Sequence, residues 1–465
     1  MASTTAAAAC EAKMKAAGVS LACITSFLSQ HAAVSSGATG NIAEASIRPA
    51  ADLEYLQKIE VAEKPELLQS TVVLKLNGGL GTGMGLDKAK SLLEVKNGDN
   101  FLDFIAKQIL YFREQYKSNL KFMLMNSFST NVDTKEYLSK YDTFRENFEE
   151  DVELLQNKVP KIRQDTFEPA SCAVSEENEW VPPGHGDLYA ALYGSGKLDR
   201  LIDAGYKYMF VSNSDNLGAT MDLRILSHMQ EKSLDFIMEV CERTESDKKG
   251  GHLAQDIATG KLLLRESAQC PKEDEGDFQN ISKHRYFNTN NLWINLPSLK
   301  AAMEANNGML SLPVIRNSKT VNPTDSSSTK VFQLETAMGT AITSFANASA
   351  IVVPRTRFAP VKTCNDLLSL RSDAYVITED YRLVLAESRQ GNPPVVALDD
   401  KHYKFVAGFN TLVEKGVPSL IACNRLKVTG SVQFDANVVL EGDVNITNTS
   451  TDTRSIASGT YTGDV

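Results

Sequence analysis

The chain lacks most of the features that assign a sequence quickly. Its seven cysteines, at 10, 23, 172, 241, 270, 364 and 423, are dispersed, with no Cys-x-x-Cys and no histidine partner at metal-ligand spacing. Such a set reads as reduced thiols, not as a disulfide framework or a zinc site. No apolar run approaches the ~18 residues of a membrane span. No long Lys/Arg block occurs and the net charge is −10, which argues against a nucleic-acid surface. The N-terminus has no basic stretch, its first arginine being Arg48, which disfavours secretory and mitochondrial leaders. The terminal Gly-Asp-Val is no peroxisomal signal. The cytoplasm is the expected compartment, with neither membrane nor nucleic acid as a partner.

What is present is an ordinary globular composition, 42% hydrophobic and 23% charged over 465 residues, long enough for two or three domains. With an acidic balance, an anionic substrate must be held by local positive sites.

The most informative such site lies at Leu74 to Lys90. The run Thr71 to Leu76 reads as a buried strand and breaks into Gly78, Gly79, Gly81, Gly83 and Gly85, closing on Lys88 and Lys90. A loop without β-carbons brings backbone N–H groups close to an anion, and the lysines add full charge. The combination suits a triphosphate. No Gly-Lys-Ser/Thr follows, so it is not a Walker A loop. Three residues after each Gly-x-Gly stand Met84, Leu86 and Lys88, not glycine, so it is not the dinucleotide fingerprint.

Residues 1–48 read as a helical or partly disordered extension, and Ala51 to Gln69 as a helix. Phe101, Ile105, Ile109 and Phe112 share one helical face. Strands are expected at Phe122 to Met125, Tyr206 to Ser212, Leu234 to Val240, Leu262 to Leu264, Leu292 to Ile294 and Ile351 to Val353, with Leu188 to Ala204 helical. Strands alternating with helices predict a largely parallel α/β sheet, whose ligands bind at the strand carboxyl ends. The glycine loop and Asp215 both follow strands and so face one crevice on this reading. Towards the C-terminus, Val432, Val438 and Val444 recur every six residues, as do Phe434, Leu440 and Ile446. That period is the mark of a parallel β-helix, with a β-hairpin as the alternative.

Three further groups carry chemistry. In Pro182-Pro-Gly-His-Gly-Asp187 the prolines stiffen the backbone and the glycines allow close approach to a ligand, with Asp187 as the expected N-cap and His185 exposed on a rigid turn. In Val211-Ser-Asn-Ser-Asp-Asn216 a carboxylate at a strand end suits Mg²⁺ held against phosphate oxygens, or equally a turn. Phe287-Asn-Thr-Asn-Asn-Leu-Trp293 and Gln333-Leu-Glu-Thr-Ala-Met338 offer neutral amides and a carboxylate for sugar hydroxyls, or two well-bonded loop ends. Arg355, Arg357 and Lys362 add cations for phosphate or for solvent.

With these motifs in order, and with Arg357-Phe-Ala-Pro-Val-Lys-Thr363, the chain resembles the eukaryotic UDP-glucose pyrophosphorylases, or UTP–glucose-1-phosphate uridylyltransferases, most closely the trypanosomatid form. The resemblance spans nearly everything after about residue 50. It implies an α/β fold with a Rossmann-like, glycosyltransferase-A-type mixed sheet core and a C-terminal left-handed parallel β-helix. The implied division is an extension over 1–48, a catalytic domain over 49–385 and the β-helix over 386–465. The implied reaction joins UTP and glucose 1-phosphate into UDP-glucose and pyrophosphate, reversibly, with Mg²⁺, in a monomer. Open alternatives are a broader UDP-sugar pyrophosphorylase and a non-catalytic sensing subunit.

The resemblance also implies site roles. Leu76, Asn77, Gly78, Gly79, Leu80 and Gly81 would hold the nucleotide, and Gln156 and Gly184 the uracil. Lys90 and Lys362 would meet the phosphates and Asp215 the metal, these three forming the catalytic set. His185, Asn213, Asn290, Asn291 and Glu335 would contact the sugar phosphate. Many family members have proline before the phosphate lysine; Ala89 stands here.

Overall fold

The computed structural model describes residues 2–465 and centres on one large twisted sheet. From one edge its strands run Glu54–Tyr55, Ala348–Val352, Phe236–Glu242, Tyr286–Asn295, Tyr208–Asn213, Thr71–Asn77, Lys121–Asn126 and Glu153–Leu155. Tyr286–Asn295 is antiparallel to both of its neighbours. The other pairings along this path are parallel. The inserted strand makes the sheet mixed, where strand–helix alternation alone predicts a largely parallel one.

Side chains alternate across the pleat and divide the core in two. Val72, Leu74, Met209, Val211, Leu292 and Ile294 belong to one buried cluster. Val73, Phe210 and Trp293 belong to the other, with Phe101, Phe104 and Ile105. The last three lie on the helix Phe101–Gln115, which begins where expected because the Asn100 side chain accepts from Asp103 N–H and Asp103 answers at Asn100 N–H.

Several local expectations give way to tertiary context. Ala51–Gln69 forms no α-helix. Glu54–Tyr55 extends along the sheet edge, and Pro65 opens a 3-10 turn over Pro65–Ser70. The helix expected over Leu188–Ala204 is two, Asp187–Gly194 and Lys197–Asp203, broken at Gly196, whose φ is +70°. The Asn-rich motif at 287–293 lies inside the strand Tyr286–Asn295, not in a loop. Asp187 is the first residue of its helix and Gly186 the cap, because the Asp187 carboxylate is occupied by Asn157 instead.

The N-terminal extension is helical and packed. Ala2–Ala16 and Leu21–Ser35 bury Cys10, Met14, Cys23, Ile24, Phe27 and Val34 against Val159, Ile162, Trp180, Ala190 and Leu334. At the other end, Ser419–Thr429, Val438–Thr447 and Gly459–Asp464 stack in parallel, while Val432–Phe434 pairs in parallel with Arg454–Ile456. Parallel pairing of successive strands rules out a hairpin. All six residues of the six-residue repeat are buried, in the same cluster as Val73 and Phe210. Among the described residues no helix is long and apolar enough to cross a membrane.

Because Phe434 is fully buried in that shared cluster, Phe434→Ala should cost about 3–5 kcal/mol of stability. Urea denaturation of the whole chain measures this; an unchanged midpoint would mean that the C-terminal strands do not share the core.

Candidate functional site

Asn213 stands in register with Leu76, so two parallel central strands end side by side. The ladder continues one residue further, Ser214 N–H donating to Leu76 O at 3.0 Å. The glycine loop therefore leaves one strand beside the turn carrying Asp215. The loop then folds back: Lys90 N–H donates to Gly79 O at 3.0 Å, and Lys90 Nζ meets the Asp215 carboxylate at 2.6 Å. A β-carbon on Gly81, which has φ +70°, would lie 3.2 Å from Lys90 Cβ, so the loop packs directly on the lysine.

A cavity of about 260 Å³ opens here, lined by Leu76, Gly78, Gly79, Lys90, Met125, Gln156, Gly184, His185, Asn213, Ser214 and Asp215. Its far wall is held by hydrogen bonds. Gln156 N–H donates to Asn126 O at 2.8 Å, and Gln156 Nε2 to Gly184 O at 2.9 Å. Gly184 has φ +78°, and a β-carbon there would lie 2.5 Å from Thr336 O, so only glycine fits. His185 Nδ1 accepts from Met338 N–H at 3.0 Å. Burial lowers this imidazole to about 4, so at neutral pH it is uncharged, with its proton on Nε2.

The other residues with expected roles sit elsewhere. Leu80 and Gly81 shape the loop without lining the cavity. Asn77 is buried, donating to Asn126 Oδ1 and Thr134 Oγ1 at 2.8 and 2.9 Å. Asn290 lies at φ +60°, and its Oδ1 accepts from Asn288 Nδ2. Glu335 backs Gly184, is held by Asn317 Nδ2 at 2.9 Å, and has its carboxyl pushed up by burial. Lys362 is exposed and lines a separate cavity of about 470 Å³ with Phe358, Pro360 and Asp366. Its loop is nevertheless tied to the site, since Val361 N–H donates to Asp215 O at 3.1 Å.

Asn291 is also fully buried, and it leads to a group that motif reading did not find. The carboxylate of Glu239, itself wholly buried, accepts from Arg357 Nε and Nη2 at 2.7 and 2.6 Å, from Trp293 Nε1 at 2.9 Å and from Asn291 Nδ2 at 3.0 Å. Arg357 is thus a core residue, not a solvated cation. Arg355 is likewise engaged, with Asp247 at 2.7 Å. Asn216 joins this hub to the site: its Nδ2 donates to Arg357 O at 3.2 Å, and its Oδ1 accepts from Ala359 N–H at 2.9 Å. Beneath them Lys75 donates to Ser212 Oγ and Ala219 O at 2.7 and 2.6 Å, and burial brings its ammonium down to about 7. Asn216 and Ser214 stood within a recognised motif. Glu239 sits in an apolar strand run, where nothing in the sequence distinguishes it.

No group of three or more His, Cys, Asp and Glu side chains poised for a metal occurs among the described residues. A lone carboxylate such as Asp215 suits a cation that is also held by phosphate oxygens and water, as Mg²⁺ commonly is.

A mixed α/β sheet with a glycine-rich anion loop and a Lys–Asp pair at its strand carboxyl ends is the architecture of a nucleotide-handling protein. Comparison makes this specific. Residues 23–441 match the family model described as UTP–glucose-1-phosphate uridylyltransferase, and the chain belongs to that family. The enzyme of that name from Saccharomyces cerevisiae is 43% identical over 390 residues, covering 83% of this chain and 76% of the yeast protein. That from Solanum tuberosum is 42% identical over 389 residues, covering 83% and 78%. Among solved structures, a variant of UDP-glucose pyrophosphorylase from Leishmania major in complex with UDP-glucose superposes with a TM-score of 0.93 at 56% identity, covering 99% of this chain and 98% of that one. A Trypanosoma brucei structure described as UDP-glucose phosphorylase gives 0.90 at 58%, covering 99% and 100%.

Removing the guanidinium from the hub leaves Glu239 charged and unpaired in the core. Arg357→Ala should therefore destabilise the fold by about 3–5 kcal/mol, read as a lowered thermal midpoint; an unshifted midpoint would show that Glu239 is not held by this pair.

Proposed function

We propose that this chain transfers the uridylyl group of UTP to glucose 1-phosphate, forming UDP-glucose and pyrophosphate reversibly. The observation that carries this is the cavity joining Lys90 and Asp215 to Gln156, Gly184, His185 and Asn213, in a chain of the uridylyltransferase family.

An oxygen of the sugar phosphate attacks the α-phosphorus of UTP in line, a new P–O bond forms, and the bond to pyrophosphate breaks. The nucleophile is already ionised, so the protein needs no base; its work is positioning and charge neutralisation. Neutral His185, with Nδ1 occupied by Met338 N–H, acts as an Nε2–H donor to the sugar phosphate beside Asn213. The glycine-loop backbone and Gln156 hold the nucleotide, and Lys90 neutralises charge on the phosphates. A Mg²⁺ ion held by Asp215 would withdraw charge from the phosphates in flight. Lys362 lies outside the cavity, but its loop is tied to Asp215, and the long exposed side chain can turn towards the leaving group. Asn290, Asn291 and Glu335 are kept as the sugar-side residues; their side chains bond Asn288, Glu239 and Asn317.

The division into 1–48, 49–385 and 386–465 is supported by the helical character of the N-terminal extension and the parallel stacking of the C-terminal strands. We take these strands as successive turns of a left-handed parallel β-helix. A monomer is the assembly expected from the resemblance; sedimentation at working concentration tests this. Seven free thiols favour a reducing compartment such as the cytoplasm, which cell fractionation tests.

Pyrophosphate release from UTP plus glucose 1-phosphate is the direct assay, and no release would reject the assignment. Lys90→Ala should lower kcat by more than about tenfold; near-normal turnover would remove Lys90 from the mechanism. Asp215→Asn should shift the Mg²⁺ requirement upward roughly tenfold or more, and an unchanged titration would count against its role with the metal.

A further inference from the structure

The buried carboxylate of Asp187 has no part in the reaction described above, yet it lies directly behind the cavity wall. It accepts Asn157 N–H at 2.7 Å and Asn157 Nδ2 at 3.0 and 3.1 Å. Asn157 follows Gln156, and Asp187 follows His185 and Gly186. One carboxylate therefore ties the segment bearing Gln156 to the segment bearing Gly184 and His185. The Gln156 Nε2 bond to Gly184 O closes the same pair of segments from the cavity side. The two contacts form a ring, one half lining the cavity and one half behind it.

The N-terminal helices seal the back of this ring. Ser20, which caps the helix Leu21–Ser35, donates to Asn157 Oδ1 at 3.5 Å and packs against Gly194. The Cys23 thiol on that helix faces Asp187, and Cys23, Phe27, Gly186, Asp187 and Thr336 line one narrow crevice. Burial lifts the Asp187 carboxyl to about 7, against the Asn157 donors. A buried carboxylate held at that cost, in a helix whose cap is glycine, points to a task other than helix capping.

We propose that Asp187 is a positioning residue for nucleotide binding, which, through Asn157 and backed by the Leu21–Ser35 helix, sets the separation of Gln156 from Gly184 and His185. This rests on the assignment of the cavity to UTP. It gives the N-terminal extension a role in the site: it excludes water from the ring that aligns the base-binding wall. Loss of the clamp should weaken UTP binding while leaving Lys90, Asp215 and the bond-making geometry in place.

The test compares wild type, Asp187→Asn and Asn157→Ala in the pyrophosphate-release assay, with thermal unfolding in parallel. Asp187→Asn keeps the shape and, assayed at about pH 8.5 where the wild-type carboxyl is ionised, removes the charge from the bonds to Asn157. It should raise KM for UTP roughly tenfold, by the strength of hydrogen bonds to a charged group. The kcat should change by less than about threefold, since Lys90 and Asp215 keep their contacts, and the KM for glucose 1-phosphate should rise less than that for UTP, since of its contacts only the one to His185 shifts. Asn157→Ala, which retains the backbone N–H bond to Asp187, should give a smaller rise of the same kind. A UTP KM within about twofold of wild type in both variants overturns the proposal. A drop in thermal midpoint without the selective KM change overturns it as well, showing a structural role only. If Asp187→Asn does not fold, Asn157→Ala decides by the same criterion. An inactive wild type would instead reject the underlying uridylyltransferase assignment.

Discussion

The site depends on one alignment, the parallel pairing that sets Asn213 beside Leu76. Parallel neighbours with matched ends deliver two loops to the same rim, and everything chemical follows from what those loops carry. A slip by one residue would turn every side chain of a strand to the opposite face and exchange the two halves of the core. The apolar sets on either face, Val72 and Leu74 against Val73, Met209 and Val211 against Phe210, make that slip prohibitive. Hydrophobic burial thus fixes a distance between polar groups that never touch the core themselves.

The second constraint is the Glu239 hub. A fully buried carboxylate is tolerated only with its lone pairs occupied. Here Arg357, Trp293 and Asn291 occupy them from two different segments. Asn216 extends the network to the turn that bears Asp215 and to the loop that bears Lys362. Asp215 and Lys362 stand on loops, but these loops are anchored in a network that cannot be rearranged without stranding a charge.

Much of this was legible in the sequence, for physical reasons that differ from place to place. The meeting of the glycine loop with Asp215 was readable because both follow strands that pair in parallel, and the six-residue repeat was readable because every repeat faces the core. The 51–69 segment misled because a sheet edge recruited a sequence with helical spacing. The buried partners of Asn291 and Glu335 were not legible, because an amide or carboxylate in a motif looks the same whatever it bonds. Glu239 was invisible because its partners Trp293 and Arg357 lie 54 and 118 residues away in sequence.

The cluster that contains Phe210 and Trp293 also contains Phe409, Leu426, Phe434, Leu440 and Ile456, from the end of the chain. During synthesis the sheet's strands emerge well before these residues, so one of its apolar layers stays incomplete until the chain has grown past Ile456. Non-local pairing is slow, and uncovered apolar surface in such an intermediate invites association. Chain growth, more than equilibrium stability, is therefore the interval in which this fold is most exposed, and a ribosome stalled before Phe409 would display a nearly finished sheet with one face still sticky.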